Sequence, residues 1–340
     1  MTAKARITLA LQGGGAHGAF TWGALDRLLE EEGIEIAAIS GTSAGALNGA
    51  ILKAGLVTGG RAGARQALDL LWRQIARLGD FRLGGFSVPP IPFAAAINEW
   101  WTAMLPISAQ GIAAQMFSPY SFGTAWHNPL DTLVRGFDFA AIASEEGPRL
   151  HVGATNVRTG KIRVFTGAEI TPEAILASAC LPTVFQAVEV DGEAYWDGGY
   201  SANPALFPLY DKGMPGDLLI VQVNPLRREA IPTTPAEIQE RINEIGFNAP
   251  LLRDLRAIAF VRRLIAEGRV QRGQMKNIRV HMIADDATMN ALGAASKLTP
   301  TPYLLYRLRK AGRTAAATFL HDHGDKLGNK ASVDIASLVG

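Results

Sequence analysis

Short runs of apolar residues alternate with longer amphipathic stretches along most of this chain. Residues 7–12 (ITLALQ) and 35–40 (EIAAIS) predict buried strands, and residues 19–31 and 44–53, which follow them, predict helices. Further segments predict strands at 150–157, 161–166, 217–223 and 277–283. Strands that alternate with helices are typical of an α/β fold with a parallel or mixed sheet.

Two pairs of predicted strands are close enough in sequence to form hairpins. The strand at 150–157 turns back at Thr159-Gly160, and residues 187–196 (AVEVDGEAYW) turn back at Asp191-Gly192. An Asp-Gly pair is a strong hairpin signal because both positions tolerate the positive φ angles of a type I′ turn. The second hairpin therefore ends directly before Asp197.

The C-terminal third is predicted to be mainly helical. Residues 235–268 form one helical stretch with an expected break near 246–250. Residues 303–319 predict an amphipathic helix, whose apolar face contains Leu304, Leu305, Leu308, Ala311, Ala315 and Phe319. No repeat or linker divides the sequence, which predicts a single domain over residues 1–340. Its core motifs lie at 6–224, and its helical extension lies at about 235–330.

The segment Gly41-Thr42-Ser43-Ala44-Gly45 lies between a predicted strand and a predicted helix. A serine flanked by glycines at such a turn is typical of a nucleophile elbow. Gly41 and Gly45 lack a Cβ, so Ser43 can adopt a strained backbone conformation while the strand and the helix pack closely. The hydroxyl would lie at a helix N-terminus, which favours developing negative charge. The alternative for so short a pattern is a tight connection without chemistry.

A glycine-rich loop, Gly13-Gly14-Gly15-Ala16-His17-Gly18, follows the first predicted strand and precedes a helix. The same spacing occurs in dinucleotide-binding folds, which require an acidic residue at the end of the second strand. Here the second strand ends at Ser40 and leads straight into the elbow, so the nucleotide interpretation is the weaker one. In the stronger interpretation, amides near Gly14 and Gly15, with the amide of Ala44, form an oxyanion hole.

A third motif, Asp197-Gly198-Gly199, follows the second hairpin. An aspartate before two glycines is a common turn, and a purely structural role is one interpretation. Because the same chain contains a glycine loop and a serine elbow, a base held at the end of a strand is the better interpretation.

In this order and spacing, the three motifs resemble the patatin-like phospholipase family. The similarity continues through residues 177–185 (ASACLPTVF), 195–200 (YWDGGY) and Asn203-Pro204, and it spans roughly residues 6–224. The resemblance implies a three-layer α/β/α fold with a central, mostly parallel sheet. It implies a dyad of Ser43 and Asp197 and an oxyanion loop that contains Gly13, Gly14 and Gly15. The supporting glycines of the motifs are Gly18, Gly41, Gly45, Gly198 and Gly199.

Two positions depart from the pattern of some family members. Gln12 stands where they carry aspartate, and His17 stands where they carry arginine or lysine. These departures concern the electrostatics around the oxyanion loop. His17 is a candidate substrate contact, and a packing or hydrogen-bonding role at the helix start is the alternative.

A dyad without histidine needs surroundings that make its aspartate a better base, because an ordinary aspartate has a pKa of about 3.9. A short hydrogen bond in a partly dry pocket would raise the basicity of Asp197. The predicted chemistry requires no metal and no cofactor. The cluster at 321–325 (HDHGD) lacks a recognised metal-ligand spacing, which favours a solvated helix end. Cys180 is expected to be a buried thiol.

Composition excludes several classes of protein. The chain has 340 residues, of which 48% are hydrophobic and 19% charged, and its net charge of +2 is too small to indicate a nucleic-acid partner. Its one cysteine excludes an internal disulfide. The first apolar run is a core strand rather than a signal peptide, and no run is long enough for a transmembrane helix. We expect a cytoplasmic protein with at most peripheral contact to a membrane or a storage granule.

Residues 83–130 contain a single charged residue, Glu99. Within them, residues 93–105 predict an apolar helix that carries Trp100 and Trp101. This insertion is a candidate hydrophobic cap over Ser43, in which the paired tryptophans contact an acyl chain or a lipid surface. A buried helix that completes the core is the alternative.

Together these features predict a serine carboxylic-ester hydrolase that acts on lipid acyl esters, as a phospholipase A or an esterase does. The expected partners are a lipid or aliphatic ester substrate and a lipid or polymer surface. Because the uncharged cap could receive an aliphatic polyester, an intracellular polyhydroxyalkanoate depolymerase, acting for instance on polyhydroxybutyrate, is the enzymatic alternative. A non-catalytic lipid-binding protein is the alternative from another class.

Overall fold

The computed structural model describes residues 4–83, 118–120, 128–271, 273–292 and 294–339. Most of the predicted cap at about 83–130, including Trp100 and Trp101, therefore lies outside the described residues.

The described strands form one mixed sheet. In chain order they are β1 (Ala5–Leu11), β2 (Ile34–Gly41), β3 (Arg149–Asn156), β4 (Ile162–Thr166), β5 (Val188–Val190), β6 (Glu193–Asp197), β7 (Asp217–Val221) and β8 (Arg279–Ile283). Their spatial order is β5-β6-β3-β2-β1-β7-β8, and β4 pairs with β3. The pairs β3-β4, β3-β6 and β5-β6 are antiparallel, and the others are parallel. The predicted mostly parallel sheet and both hairpins are confirmed.

The described helices are α1 (Gly18–Leu28), α2 (Ala44–Leu83), α3 (Asp131–Arg135), α4 (Phe139–Ala143), α5 (Pro172–Ser178), α6 (Pro235–Ala266), α7 (Asp286–Asn290), α8 (Ala294–Lys297), α9 (Pro302–His323) and α10 (Ile335–Val339). Three of them begin with a Thr-Pro pair, at Thr171, Thr234 and Thr301. In each pair the threonine hydroxyl accepts a hydrogen bond from an amide of the first turn, and proline occupies a position where no amide donor is needed.

Helices cover both faces of the sheet because the strands are apolar on both sides. Along β1, Leu9 and Leu11 pack into a cluster with residues of α1, α2 and α9, whereas Ala10 packs into a second cluster with Leu251 and Leu255 of α6. Successive residues of a strand point to opposite faces, so one apolar run serves two helical layers. This arrangement is the predicted three-layer α/β/α architecture.

Two helices differ from their predicted bounds. The helix predicted at 44–53 continues to Leu83 as α2, with a kink at Gly59-Gly60, where the backbone leaves helical geometry. The break predicted near 246–250 is wrong, since α6 runs through Pro250 without interruption. Pro250 is buried, and the next residue, Leu251, packs in the core. We infer that this burial offsets the hydrogen bond that proline cannot donate.

None of the described helices combines the length and the hydropathy needed to cross a bilayer. Within the same residues, no three side chains of the metal-ligating types gather into a cluster.

A buried carboxylate connects three helices. Asp26 of α1 accepts hydrogen bonds from Arg65 of α2 at 2.6 Å and from Arg309 and Arg313 of α9 at 3.1 and 2.5 Å. Burial alone would raise the pKa of Asp26, but the hydrogen bonds from the three arginines outweigh it and lower the pKa. The ionised form therefore stabilises the fold above the unfolded-state pKa of about 3.9, and this contribution is lost as the pH falls through the lower folded-state pKa.

Replacing Asp26 with asparagine is expected to reduce the free energy of unfolding by about 2 kcal/mol at neutral pH. The loss comes from charged hydrogen bonds, and partial exposure of the arginines limits it. Urea unfolding measures the change, and Glu35→Gln is the control, because Glu35 pairs with Arg6 on the surface. Equal losses in the two variants would contradict the stabilising role of Asp26.

Candidate active site

Ser43 occupies a strained turn between the carboxyl end of β2 and the start of α2. Its φ angle is +56°, in a region that residues other than glycine rarely adopt. The turn is tight because the carbonyl oxygens of Thr42 and Ser43 already accept hydrogen bonds from the first amides of α2. A side chain at Gly45 would overlap the carbonyl of Leu11, so only glycine allows the helix to approach β1 this closely. The structure thus places Ser43 in the predicted elbow geometry.

Ser178, at the end of α5, holds the backbone of this turn. Its hydroxyl accepts a hydrogen bond from the amide of Ser43 at 3.0 Å and donates one to the carbonyl of Gly153 in β3 at 2.7 Å. All three groups are buried, so the two bonds fix the strained residue relative to β3. Sequence reasoning missed this role, because Ser178 belongs to a run of small residues without a pattern of its own.

The glycine loop follows β1 and lies beside the elbow. Gly15 has a φ angle of +58°, and the backbone of Lys297 packs where a Cβ would stand. Among the described residues, none accepts a hydrogen bond from the amides of Gly14, Gly15 or Ala44. These amides are available to bind an oxyanion.

Gly13, which is expected to belong to the oxyanion loop, has its amide engaged in a hydrogen bond. It donates to Oδ1 of Asn203 at 2.7 Å, and both groups are buried. Gly13 therefore shapes the loop, and its N–H does not face a bound ester. Asn203 is a second positioning residue that sequence reasoning did not assign.

The side-chain amides of Gln12 and Asn224 connect the glycine loop to the segment that follows β7. Oε1 of Gln12 accepts hydrogen bonds from the amides of Val223 and Asn224 at 2.9 and 3.1 Å, and its Nε2 donates to Asn248. The side chain of Asn224 in turn donates to the carbonyl of Gly13 at 2.7 Å. Gln12 therefore fixes the end of β7 against the loop by hydrogen bonds alone, without a charge.

Asp197 is the last residue of β6 and is fully buried. Its amide donates to the carbonyl of Cys180, and its Oδ1 accepts a hydrogen bond from the amide of Gly199, both at 2.8 Å. Its Oδ2 has no hydrogen-bond partner of good geometry among the described residues. Burial raises the pKa of Asp197 to about 6, although the Gly199 amide and the nearby Ser43 hydroxyl oppose the shift. The carboxylate is thus a stronger base than an ordinary aspartate.

The remaining glycines of the motifs lie where the sequence predicts turns or element ends. Gly18 begins α1, Gly41 ends β2, and Gly198 and Gly199 form a short 3₁₀ turn after Asp197. Phe247 of α6 packs against Gly199 and against the ring of Tyr200, whose centroid lies 5.1 Å away. This packing encloses Asp197 from the side of α6.

Two cavities meet at Ser43. The first is lined almost wholly by apolar side chains, among them Leu47, Trp72, Ile75, Leu130, Leu181 and Phe185. The second is also lined mainly by apolar surface, including Leu181, Tyr200 and Phe247, but it contains Asp197 and several further polar side chains, which are Asn224, Gln239, Glu240, Asn243 and Lys297. The first cavity suits an acyl chain, and the polar groups of the second can contact the alcohol part of an ester.

His17 is not among the residues that line the two cavities, and its contact with substrate stays a prediction. It is buried, and its Nε2 lies 2.7 Å from the hydroxyl of Ser296. Burial, together with the nearby charge of Lys297, lowers the pKa of His17 to about 3, so the ring is neutral. The alternative role, a hydrogen bond at the helix start, fits this placement.

No histidine of the described residues lines either cavity. His281 does lie 3.0 Å from both Asp217 and Ser332, which resembles a triad in composition. However, Asp217 is the first residue of β7, whereas Ser43 follows the carboxyl end of the parallel strand β2, so the two lie at opposite ends of the strands. Asp217 also forms an ion pair with Arg279. Cys180 is buried as predicted, and burial raises the pKa of its thiol to about 12.

The fold and this site define the protein as an α/β protein with a serine on a strand-to-helix elbow, beside a glycine loop and a buried aspartate. The model of the family described as patatin-like phospholipase matches residues 9–210. The chain therefore belongs to the patatin-like phospholipase family.

Three solved structures are similar to the chain at low sequence identity. VipD from Legionella pneumophila is 14% identical with a TM-score of 0.41, over 94% of this chain and 67% of that one. The type III effector ExoU is 17% identical with a TM-score of 0.35, over 94% and 53%. The complex of ExoU with SpcU from the type III secretion system of Pseudomonas aeruginosa is 17% identical with a TM-score of 0.30. This match covers 99% of this chain and 75% of that one. The comparison with curated proteins finds no match.

Proposed function

We propose that this protein is a serine carboxylic-ester hydrolase that acts on lipid acyl esters, with Ser43 as nucleophile and Asp197 as base. Membership of the patatin-like family implies a lipid acyl hydrolase. The observation that carries the finer proposal is the pairing at one cavity of a strained serine with a buried carboxylate whose pKa is raised to about 6.

The geometry supports a two-step reaction. Asp197 accepts the hydroxyl proton as Oγ of Ser43 bonds to the ester carbonyl carbon, and the amides of Gly14, Gly15 and Ala44 stabilise the resulting oxyanion. The tetrahedral intermediate collapses, the alcohol leaves with the proton from Asp197, and an acyl-enzyme remains. Water then attacks the same carbon as it loses a proton to Asp197. The second tetrahedral intermediate collapses and releases the fatty acid, while Asp197 returns the proton to Oγ of Ser43.

The apolar cavity supports a preference for long acyl chains. Its lining combines aliphatic side chains with the buried rings of Trp72 and Phe185, and its polar surface is small. Each methylene group that enters such a cavity contributes about 0.8 kcal/mol of transfer free energy, so binding is expected to improve until the cavity is filled.

Hydrolysis of p-nitrophenyl esters from acetate to palmitate tests this proposal. We expect kcat/KM to rise from acetate to at least octanoate by about a hundredfold or more, and the activity to disappear in Ser43→Ala. Release of fatty acid from phospholipid or glyceride micelles should follow the same preference. Release of 3-hydroxybutyrate from amorphous polyhydroxybutyrate, without release of fatty acid, would support a depolymerase instead. Absence of Ser43-dependent hydrolysis at every length would favour the non-catalytic lipid-binding function.

A further inference from the structure

A lysine from outside the family-matched segment lies at the junction of the two cavities. Lys297, the last residue of α8, lines both of them together with Ser43 and Gly15. Its backbone packs against Gly15, so the main chain at this residue is fixed relative to the oxyanion loop. The position is therefore defined by the fold, and the ammonium group is held within the site.

The charge of Lys297 is not paired with a carboxylate of the described residues. Its Nζ donates a hydrogen bond to Oδ1 of Asn224 at 2.9 Å, which leaves two N–H groups of the ammonium for other acceptors. Glu240 and Glu244 lie nearby, but both form ion pairs with Arg228, at 2.9 and 2.7 Å. Arg241 also pairs with Glu244, at 3.3 Å, so two arginines face the two acids of α6.

Burial lowers the pKa of Lys297, and the charges of Glu244 and Glu240 oppose this shift. Burial removes part of the hydration of the ammonium, and no carboxylate of the described residues forms an ion pair with it, so the arrangement costs free energy. An anionic oxygen from a ligand would supply a charge-assisted hydrogen bond and compensate for this cost.

Ester hydrolysis by Ser43 and Asp197 does not itself require a cation in the second cavity. A cation would favour an anionic substrate there, because the carboxylates of Asp197 and Glu240 line the same cavity and repel negative charge. Asn243 lines this cavity but not the first one, and its side-chain amide is a further donor.

We propose that Lys297 forms an anion subsite, which binds a phosphate or carboxylate carried by the alcohol part of the ester substrate. This inference rests on the proposed ester hydrolase function. It assigns Lys297 as a specificity-determining residue that selects acidic esters over neutral ones with the same acyl chain.

Two matched pairs of soluble substrates test the subsite in the full-length protein. The first pair is dihexanoyl phosphatidic acid and dihexanoylglycerol, and the second is the linear dimer of 3-hydroxybutyrate and its methyl ester. One of the two acids should be a substrate whose binding depends on Lys297. For that acid we expect KM to rise about tenfold in Lys297→Met, whereas KM for its neutral counterpart should change less than about twofold. Lys297→Arg should retain most of the preference, and Lys310→Met, on an exposed part of α9, is the control.

The two pairs distinguish a phosphate from a carboxylate as the natural group. Equal losses on acidic and neutral esters would overturn the proposal, because Lys297 would then act through Asn224 and the glycine loop. Unchanged KM values for both acids would overturn it as well. Wild-type protein that hydrolyses neither member of either pair would contradict the proposed function instead. In that case, titration of Ser43→Ala with dihexanoyl phosphatidic acid, with and without Lys297→Met, tests the anion subsite by itself.

Discussion

Replacing Ser43 with alanine is expected to reduce ester hydrolysis by at least about a thousandfold, with the fold unchanged. In the proposed mechanism Oγ of Ser43 forms the acyl-enzyme, and no other described serine lines the two cavities. The backbone bonds that hold the elbow use the amide and carbonyl of residue 43, which alanine retains. The variant should therefore unfold at nearly the same temperature as the wild type, since alanine tolerates the positive φ angle no worse than serine does.

Labelling with a fluorophosphonate gives a second measurement that does not depend on the choice of substrate. Wild-type protein should be labelled at residue 43, and Ser43→Ala should remain unlabelled. Ser337→Ala, in which the exposed hydroxyl of α10 is removed, is the matched control and should react as the wild type does. Hydrolysis that persists in folded Ser43→Ala would rule out Ser43 as the nucleophile.

The elements that carry the motifs could be predicted from the sequence because their signals are local. The Asp191-Gly192 turn has φ angles of +52° and +78°, as a type I′ hairpin requires, and it delivers Asp197 to the end of β6. The elbow could likewise be recognised from the small residues on either side of Ser43. In both cases a few adjacent residues determine the backbone geometry, whatever the rest of the chain does.

The contacts that position these motifs could not be predicted in the same way. Ser178 lies 135 residues from Ser43 in the sequence, and Asn203 lies 190 residues from Gly13. Lys297 is still farther from Gly15, against which it packs. These contacts therefore depend on tertiary packing. The same limit explains the error at Pro250, where burial in the core outweighs a local signal that ends most helices. The hydrogen bond between His17 and Ser296 is another long-range contact, so it could not be inferred from the place of His17 in the glycine loop.

Replacing Asp197 with asparagine is expected to reduce hydrolysis by about a thousandfold or more, because an amide cannot accept the proton of Ser43. Asparagine keeps an oxygen for the hydrogen bond from Gly199, so the hairpin end should keep its conformation. The wild-type rate should depend on ionised Asp197. Since the pKa is raised to about 6, kcat/KM should fall tenfold per pH unit well below that value and level off above it. A rate that is independent of pH down to about pH 4 would contradict Asp197 as the base.

The same raised pKa predicts that Asp197 destabilises the fold at the pH where it is active. The folded state binds the proton more tightly than the unfolded state, whose aspartates have a pKa of about 3.9, so stability decreases as the pH rises between the two values. Above pH 6 the difference reaches a penalty of about 3 kcal/mol. Asp197→Asn removes the ionisation, and its melting temperature should exceed that of the wild type at about pH 8, with the gap closing toward about pH 4. A gap that widens on acidification would contradict this assignment. An outcome of lower activity with higher stability would indicate that the buried carboxylate is retained for chemistry rather than for the fold.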